Sequence, residues 1–161
     1  MKIRTLVAII AVVAMAAFVT GACSRTKTIK TDGGEVTISE KGGVVNIKGK
    51  EGEVVAEFGE NTKLPSNLSK DVPVYKPSNV IMSQVMDKGA KVMLGLNTKD
   101  DAGKVAAFYK RELTQKGWNV RATMDMGPMK MYQGTRGTQK INVTINGEDG
   151  ETNISLAYSG E

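Results

Sequence analysis

The sequence predicts an α+β fold: a two-layer sandwich with one helix packed on an antiparallel sheet, in the order ββαββββ, preceded by a short β meander. Three observations carry this expectation. Residues 99–116 repeat apolar side chains at helical spacing. The segments after them alternate apolar and polar residues at period two, each offering one apolar face. Apolar residues are also unevenly spread, 13 of 49 over residues 23–71 against 35 of 87 over residues 72–158. Only the second stretch is dense enough to build a core.

The N-terminus addresses the chain. Lys2 and Arg4 precede an unbroken apolar run from Leu6 to Val19, a charged region followed by a hydrophobic one. Fourteen residues of helix reach about 21 Å, short of a roughly 30 Å hydrocarbon core. Thr20-Gly21-Ala22-Cys23 follows, and Cys23 is the chain's one cysteine. Small residues before a lone Cys at this place resemble the bacterial lipobox, with Thr20 where Leu is commonest. The resemblance implies cleavage between Ala22 and Cys23, with diacylglyceryl and acyl chains on Cys23. Residues 1–22 are then a lipoprotein signal peptide. The expected location is the cell envelope, with the membrane as a partner through acylated Cys23. In an enteric-like Gram-negative host, Ser24 resembles an outer-membrane sorting residue.

Composition excludes several functions. With no His, His-based triads and His-ligated zinc are ruled out. A single Cys allows neither an intrachain disulfide nor a Cys metal cluster. The chain carries +5, and loss of residues 1–22 removes Lys2 and Arg4, leaving 20 basic and 17 acidic residues, a net +3. There is no dense basic stripe, so no nucleic-acid partner is expected.

The elements follow in order. Residues 23–34 read as a polar, lipidated tether. Residues 35–59 read as a meander of EVTIS, VVNIK and VVAEF, with Val36/Ile38, Val45/Ile47 and Ala56/Phe58 on one face. Whether it leans on the main domain is left open. Residues 60–79 hold three of the four prolines and read as a linker ending in an extended Val-Pro-Val-Tyr. The helix-on-sheet domain spans 80–159. Its first hairpin pairs 80–86 with 90–97 around Asp87-Lys88-Gly89. In the helix, Ala102, Val105, Ala106, Tyr109 and Leu113 share a face. Thr98 and Asp101 resemble a capping box, and Gly117 reads as a Schellman cap pairing Leu113 with Trp118. Four strands complete the domain, beginning with Trp118, Val120, Ala122, Met124 and Met126 in alternation.

The V-P-V-Y lead-in and the helix A-F-Y-K-R-E-L-T-Q-K-G-W resemble a domain of uncharacterised bacterial envelope lipoproteins. That domain joins a VPxYP lead-in to a helix ending FY-x3-L-x3-GW. Lys76 separates Tyr75 from Pro77, a small departure. The resemblance covers about residues 64–158. It implies a small envelope α+β domain and supplies no reaction.

Methionine is the sharpest chemical oddity. Met124, Met126, Met129 and Met131 fall within eight residues around Gly127-Pro128. A two-residue turn there sets Met126 opposite Met129 and Met124 opposite Met131. Three readings stand: core packing continuing from Trp118, which requires buried side chains; an exposed patch facing a partner or lipid; and a Cu(I) site, which soft thioethers suit. Glu148-Asp149-Glu151 lacks the ligand spacing of an EF-hand and reads as a turn. Asp100 and Asp101 read as helix-capping residues rather than an acid–base pair. No spacing singles out a nucleophile, so no catalytic residue is assigned and no cofactor beyond the covalent lipid is expected. The reading is a non-enzymatic interaction or accessory module at the membrane surface with an envelope protein partner. The alternative is a small-ligand or Cu(I)-binding protein using the Met124–Met131 hairpin.

Overall fold

The computed structural model describes residues 25–31, 34–41, 44–49, 54–60 and 62–160. Cys23 and the expected signal peptide at residues 1–22, including Ala22, lie outside them. The fold is the expected α+β sandwich: one helix against one antiparallel sheet. The strands are β1 (Arg25–Thr31), β2 (Gly34–Lys41), β3 (Val44–Gly49), β4 (Val55–Phe58), β5 (Asn79–Met86), β6 (Lys91–Thr98), β7 (Asn119–Met126), β8 (Met129–Arg136), β9 (Gln139–Glu148) and β10 (Glu151–Ser159); the helix is α1 (Ala102–Gln115). Sheet order is β1-β2-β3-β4-β5-β6-β10-β9-β8-β7.

Two expectations about the N-terminal half change, for the tether and the linker, and the place of the meander, left open by the sequence, is given by its pairing. The tether expected at residues 23–34 contains β1, which pairs along β2 from Arg25↔Glu40 to Thr31↔Gly34. Four of the six residues in its Thr-Lys-Thr-Ile-Lys-Thr run are β-branched, which suits a strand. The meander is part of the main sheet, because β4 pairs with β5 from Val55↔Val85 to Phe58↔Met82. The linker is packed: Val72 and Tyr75 are buried in the core, with Leu68 and Val74 against it. We call residues 62–78 the strap.

The helix forms where its apolar stripe can be buried. Val105, Tyr109 and Leu113 are fully enclosed, with Ala102 and Ala106 nearly so, and the helix packs on β7, β8 and β9. Its N-cap is Asp101, whose side chain accepts from the Gly103 N–H at 2.7 Å. Thr98 does not serve in a capping box. It is the buried last rung of β6, opposite Thr152, and its hydroxyl donates to the Pro77 carbonyl at 2.7 Å. The C-terminus closes as expected. Gly117 has φ +78, the Trp118 N–H reaches the Leu113 carbonyl and the Gly117 N–H reaches Thr114, both at 3.0 Å. That is the paired geometry of a Schellman motif, and it brings Leu113 and Trp118 into the core together.

Candidate functional site

The strap is tied to both ends of the helix. Near the C-terminus, Lys116 Nζ donates to the Lys70 carbonyl at 2.7 Å. Arg136 pairs with Asp71 at 2.5 Å, donates to the Lys116 carbonyl at 2.9 Å and lies over the Trp118 ring at 4.9 Å. Near the N-terminus, the Tyr75 hydroxyl donates to Asp100 at 2.6 Å, while Lys104 pairs with the other Asp100 oxygen at 2.8 Å. The Lys104 hydrogen bond, then that of Tyr75, holds the Asp100 carboxyl below its ordinary value. Burial, then the Asp100 contact, raises the Tyr75 phenol. Tyr75 also meets Phe108 edge-on at 5.0 Å. The lead-in tyrosine and the helix-start aspartates are therefore fastenings of the fold.

On the helix side the sheet is filled. Leu94, Leu96, Val143, Ile145 and Leu156 are fully enclosed against α1 and the strap. Gly134 belongs to this packing: a Cβ there would lie 2.7 Å from Ile141 and 3.4 Å from Trp118. At the helix start the packing ends in an open groove of about 670 Å³. It lies between Asp101, the Gly127-Pro128 turn and the Asp149-Gly150 turn. Lys130 enters it, 18% exposed and paired with Asp125 at 2.5 Å, and that carboxylate raises the lysine's pKa. Glu148 at the end of β9, Asp149 in the turn and Glu151 at the start of β10 line the rim. No group of three or more His, Cys, Asp or Glu side chains suited to a metal occurs among the described residues.

The methionine hairpin is the feature that the sequence left most open. Its register is the expected one, Met124↔Met131 and Met126↔Met129. Its orientation is not the one that core packing requires. Along β8, Tyr132 is buried in the core and pairs with Val143, so Met131 and Met129, opposite Thr144 and Asn146, face away from the helix. On β7 the pairing steps from Ala122↔Tyr132 to Met124↔Met131, two residues against one. This β-bulge reverses the parity of the strand. Val120 still packs on the core, but Met124 and Met126 join Met129 and Met131 on the rear face. Met126 is 63% exposed, the other three are half-buried, and none belongs to the core. The core reading is thus corrected. Period-two alternation carried straight through β7 puts Met124 and Met126 on the core face, and the extra residue between Ala122 and Met124 turns them to the rear.

The rest of the rear face is readable from register. Gly95, Ser155 and Thr144 form a row ending at Met131 and Met124. Asn97, Asn153 and Asn146 form the next, ending at Met129 and Met126. Asn97 donates to Asn153 at 3.1 Å and to Glu151 at 2.9 Å. At the other end of the face, Met82 stands opposite Gly95, Met93 opposite Gln84 and Met86 opposite Lys91.

A family described as START domain-like matches residues 80–152, from β5 to the beginning of β10 and less than half of the chain. An uncharacterised protein from Archaeoglobus fulgidus is 29% identical over 118 residues, 70% of this chain and 41% of its own length. The chain thus spans about two fifths of that relative. No solved structure matches. No helix among the described residues is long and apolar enough to cross a membrane.

Proposed function

We propose that this is a lipid-anchored envelope protein whose helix-on-sheet domain is a non-enzymatic interaction module at the membrane surface. The observation that carries the reading is the position of the chain's one cysteine, Cys23, directly after a charged segment, an apolar run and three small residues. Two or three acyl chains on one residue give stable anchoring, since each buried CH₂ contributes about 0.8 kcal/mol. The structural roles of Asp100 and Asp101 support the non-enzymatic half. Asp101 caps the helix, and Asp100 is held by Tyr75 and Lys104. The sheet provides contact surfaces in its edge strands β1 and β7 and in its rear face of Asn, Ser, Thr and Met.

The test is metabolic labelling with palmitate, followed by in-cell crosslinking, detergent extraction and mass spectrometry. Label on the wild-type chain but not on Cys23→Ser, with one dominant envelope partner that is lost in that variant, is the expected result. An unlabelled wild-type chain overturns the anchor. A labelled chain with no reproducible partner overturns the accessory role.

A further inference from the structure

The hairpin at Gly127-Pro128 is amphipathic in the reverse sense from the rest of the sheet. Its charged pair, Asp125 and Lys130, lies on the helix side, and its four thioethers lie on the rear. Strand propensity does not account for this, since Val, Ile and Thr suit a half-open strand surface better than Met. Core packing does not account for it either, since Met126 is 63% exposed and the other three, though half-buried, lie outside the core. What the four residues share is sulfur.

We infer that Met124, Met126, Met129 and Met131 form a Cu(I) site on the rear of the hairpin. The register sets them in two facing pairs on successive same-face rungs. Cβ atoms across such a pair lie about 4.5–5.5 Å apart, and same-face residues along a strand about 6.6 Å apart. Each methionine is unbranched, and rotation about its Cα–Cβ and Cβ–Cγ bonds can bring its sulfur inward. Three or four neutral, soft donors with no imidazole or carboxylate among them favour Cu(I) over Zn(II) or Cu(II). The neighbours on β9 in these rungs, Thr144 and Asn146, supply only uncharged oxygen and nitrogen. The exposure of Met126 leaves the ion a way in. The other methionines after residue 23 make an internal control. Met82, Met86 and Met93 stand opposite Gly95, Lys91 and Gln84, so no thioether faces another there.

The test is an anaerobic Cu(I) titration of the full chain in detergent against bicinchoninate. It uses the Cys23→Ser background, because a free Cys23 thiolate binds Cu(I) itself. The methionine methyl groups are ¹³C-labelled and followed by NMR. The expected result is one Cu(I) per chain, with shifts confined to Met124, Met126, Met129 and Met131. The double variant Met124→Leu/Met131→Leu, which keeps the apolar volume and the fold, then weakens binding by about tenfold or more, the scale on which metal sites respond to lost supporting groups. Met82→Leu/Met93→Leu leaves it unchanged. Failure to hold Cu(I) against bicinchoninate overturns the proposal. So does unchanged affinity in a folded Met124→Leu/Met131→Leu chain, or shifts centred on Met82, Met86 and Met93. Partner capture and palmitate labelling do not enter this readout, so the site stands or falls independently of the anchor.

Discussion

The face of the sheet under α1 and the face behind it are made by alternate residues of the same strands, yet they obey different rules. Under the helix, β6, β9 and β10 present Val92, Leu94, Leu96, Ile141, Val143, Ile145, Ile154 and Leu156, all buried. Behind it the intervening residues are Met93, Gly95 and Asn97, then Asn142, Thr144 and Asn146, then Asn153, Ser155 and Ala157. The first face holds the fold together, and the second is available for contact. At the Gly127-Pro128 hairpin the rule reverses: the alternation of β8 puts Met129 and Met131 on the rear, and one bulge in β7 turns Met124 and Met126 to join them. A single inserted residue is enough, because side-chain direction in a strand has a period of two.

The largest expected effect tests the stabilising face. Leu113→Ala removes a fully enclosed side chain and the hydrophobic half of the helix cap. It should cost about 2–5 kcal/mol in denaturant unfolding. A loss near the ordinary surface value of about 0.5 kcal/mol would mean that the helix contributes far less than its burial implies.

A second comparison uses two glycines. Gly134→Ala places a methyl 2.7 Å from Ile141, inside the packed face, and should cost about 1–3 kcal/mol. Gly95→Ala places one 3.1 Å from the Met82 Cβ, on the half-open rear, and should cost less. The reverse ranking, measured in the same denaturant series, would break the distinction between the faces.

The fastening of the strap is sensitive to pH. The Asp100 pKa is lowered from 3.8, first by Lys104 and then by Tyr75. A carboxyl with a depressed folded value contributes stability above its unfolded pKa and loses it as pH falls through the folded one. The Tyr75 pKa is raised from 10.0, so its contribution is present below about pH 10 and is lost as pH rises further. Tyr75→Phe should therefore lower the melting temperature slightly between about pH 4 and pH 10. The difference from wild type should vanish in acid as Asp100 is protonated. A difference that persists at pH 2 would mean that the Tyr75 hydroxyl contributes independently of the ionised Asp100 carboxylate.

The helix, its Schellman closure and the antiparallel strands after it were legible because each rests on local pattern: 3.6-residue spacing, a glycine after the last turn, period-two alternation. The strap was not. Val72, Val74 and Tyr75 are spaced by proline-restricted backbone rather than by a regular period, and their burial depends on Asp71, Asp100 and Arg136 contacts distant in sequence. The helix starts at Ala102, later than the local pattern predicts, for a related reason. Thr98 is a good capping residue locally, but pairing with Thr152 keeps it in β6 and leaves the cap to Asp101. The four methionines were legible as a facing set, because the turn fixes their register. The face they occupy was not, because the bulge between Ala122 and Met124 leaves no mark in the hydrophobic pattern.

The smallest expected effect separates the rear face's two possible duties. Met126 is largely exposed, so Met126→Ala should change stability by no more than about 0.5 kcal/mol. If its thioether ligates Cu(I), the same variant should weaken the metal's retention while the denaturant midpoint stays put. If the side chain only shields the hairpin, neither quantity should move. A fall in stability with retention unchanged would show that Met126 supports the pairing of β7 with β8, and would return the methionines to a structural role. The two readouts together thus decide whether the reversed hairpin serves the fold or a ligand.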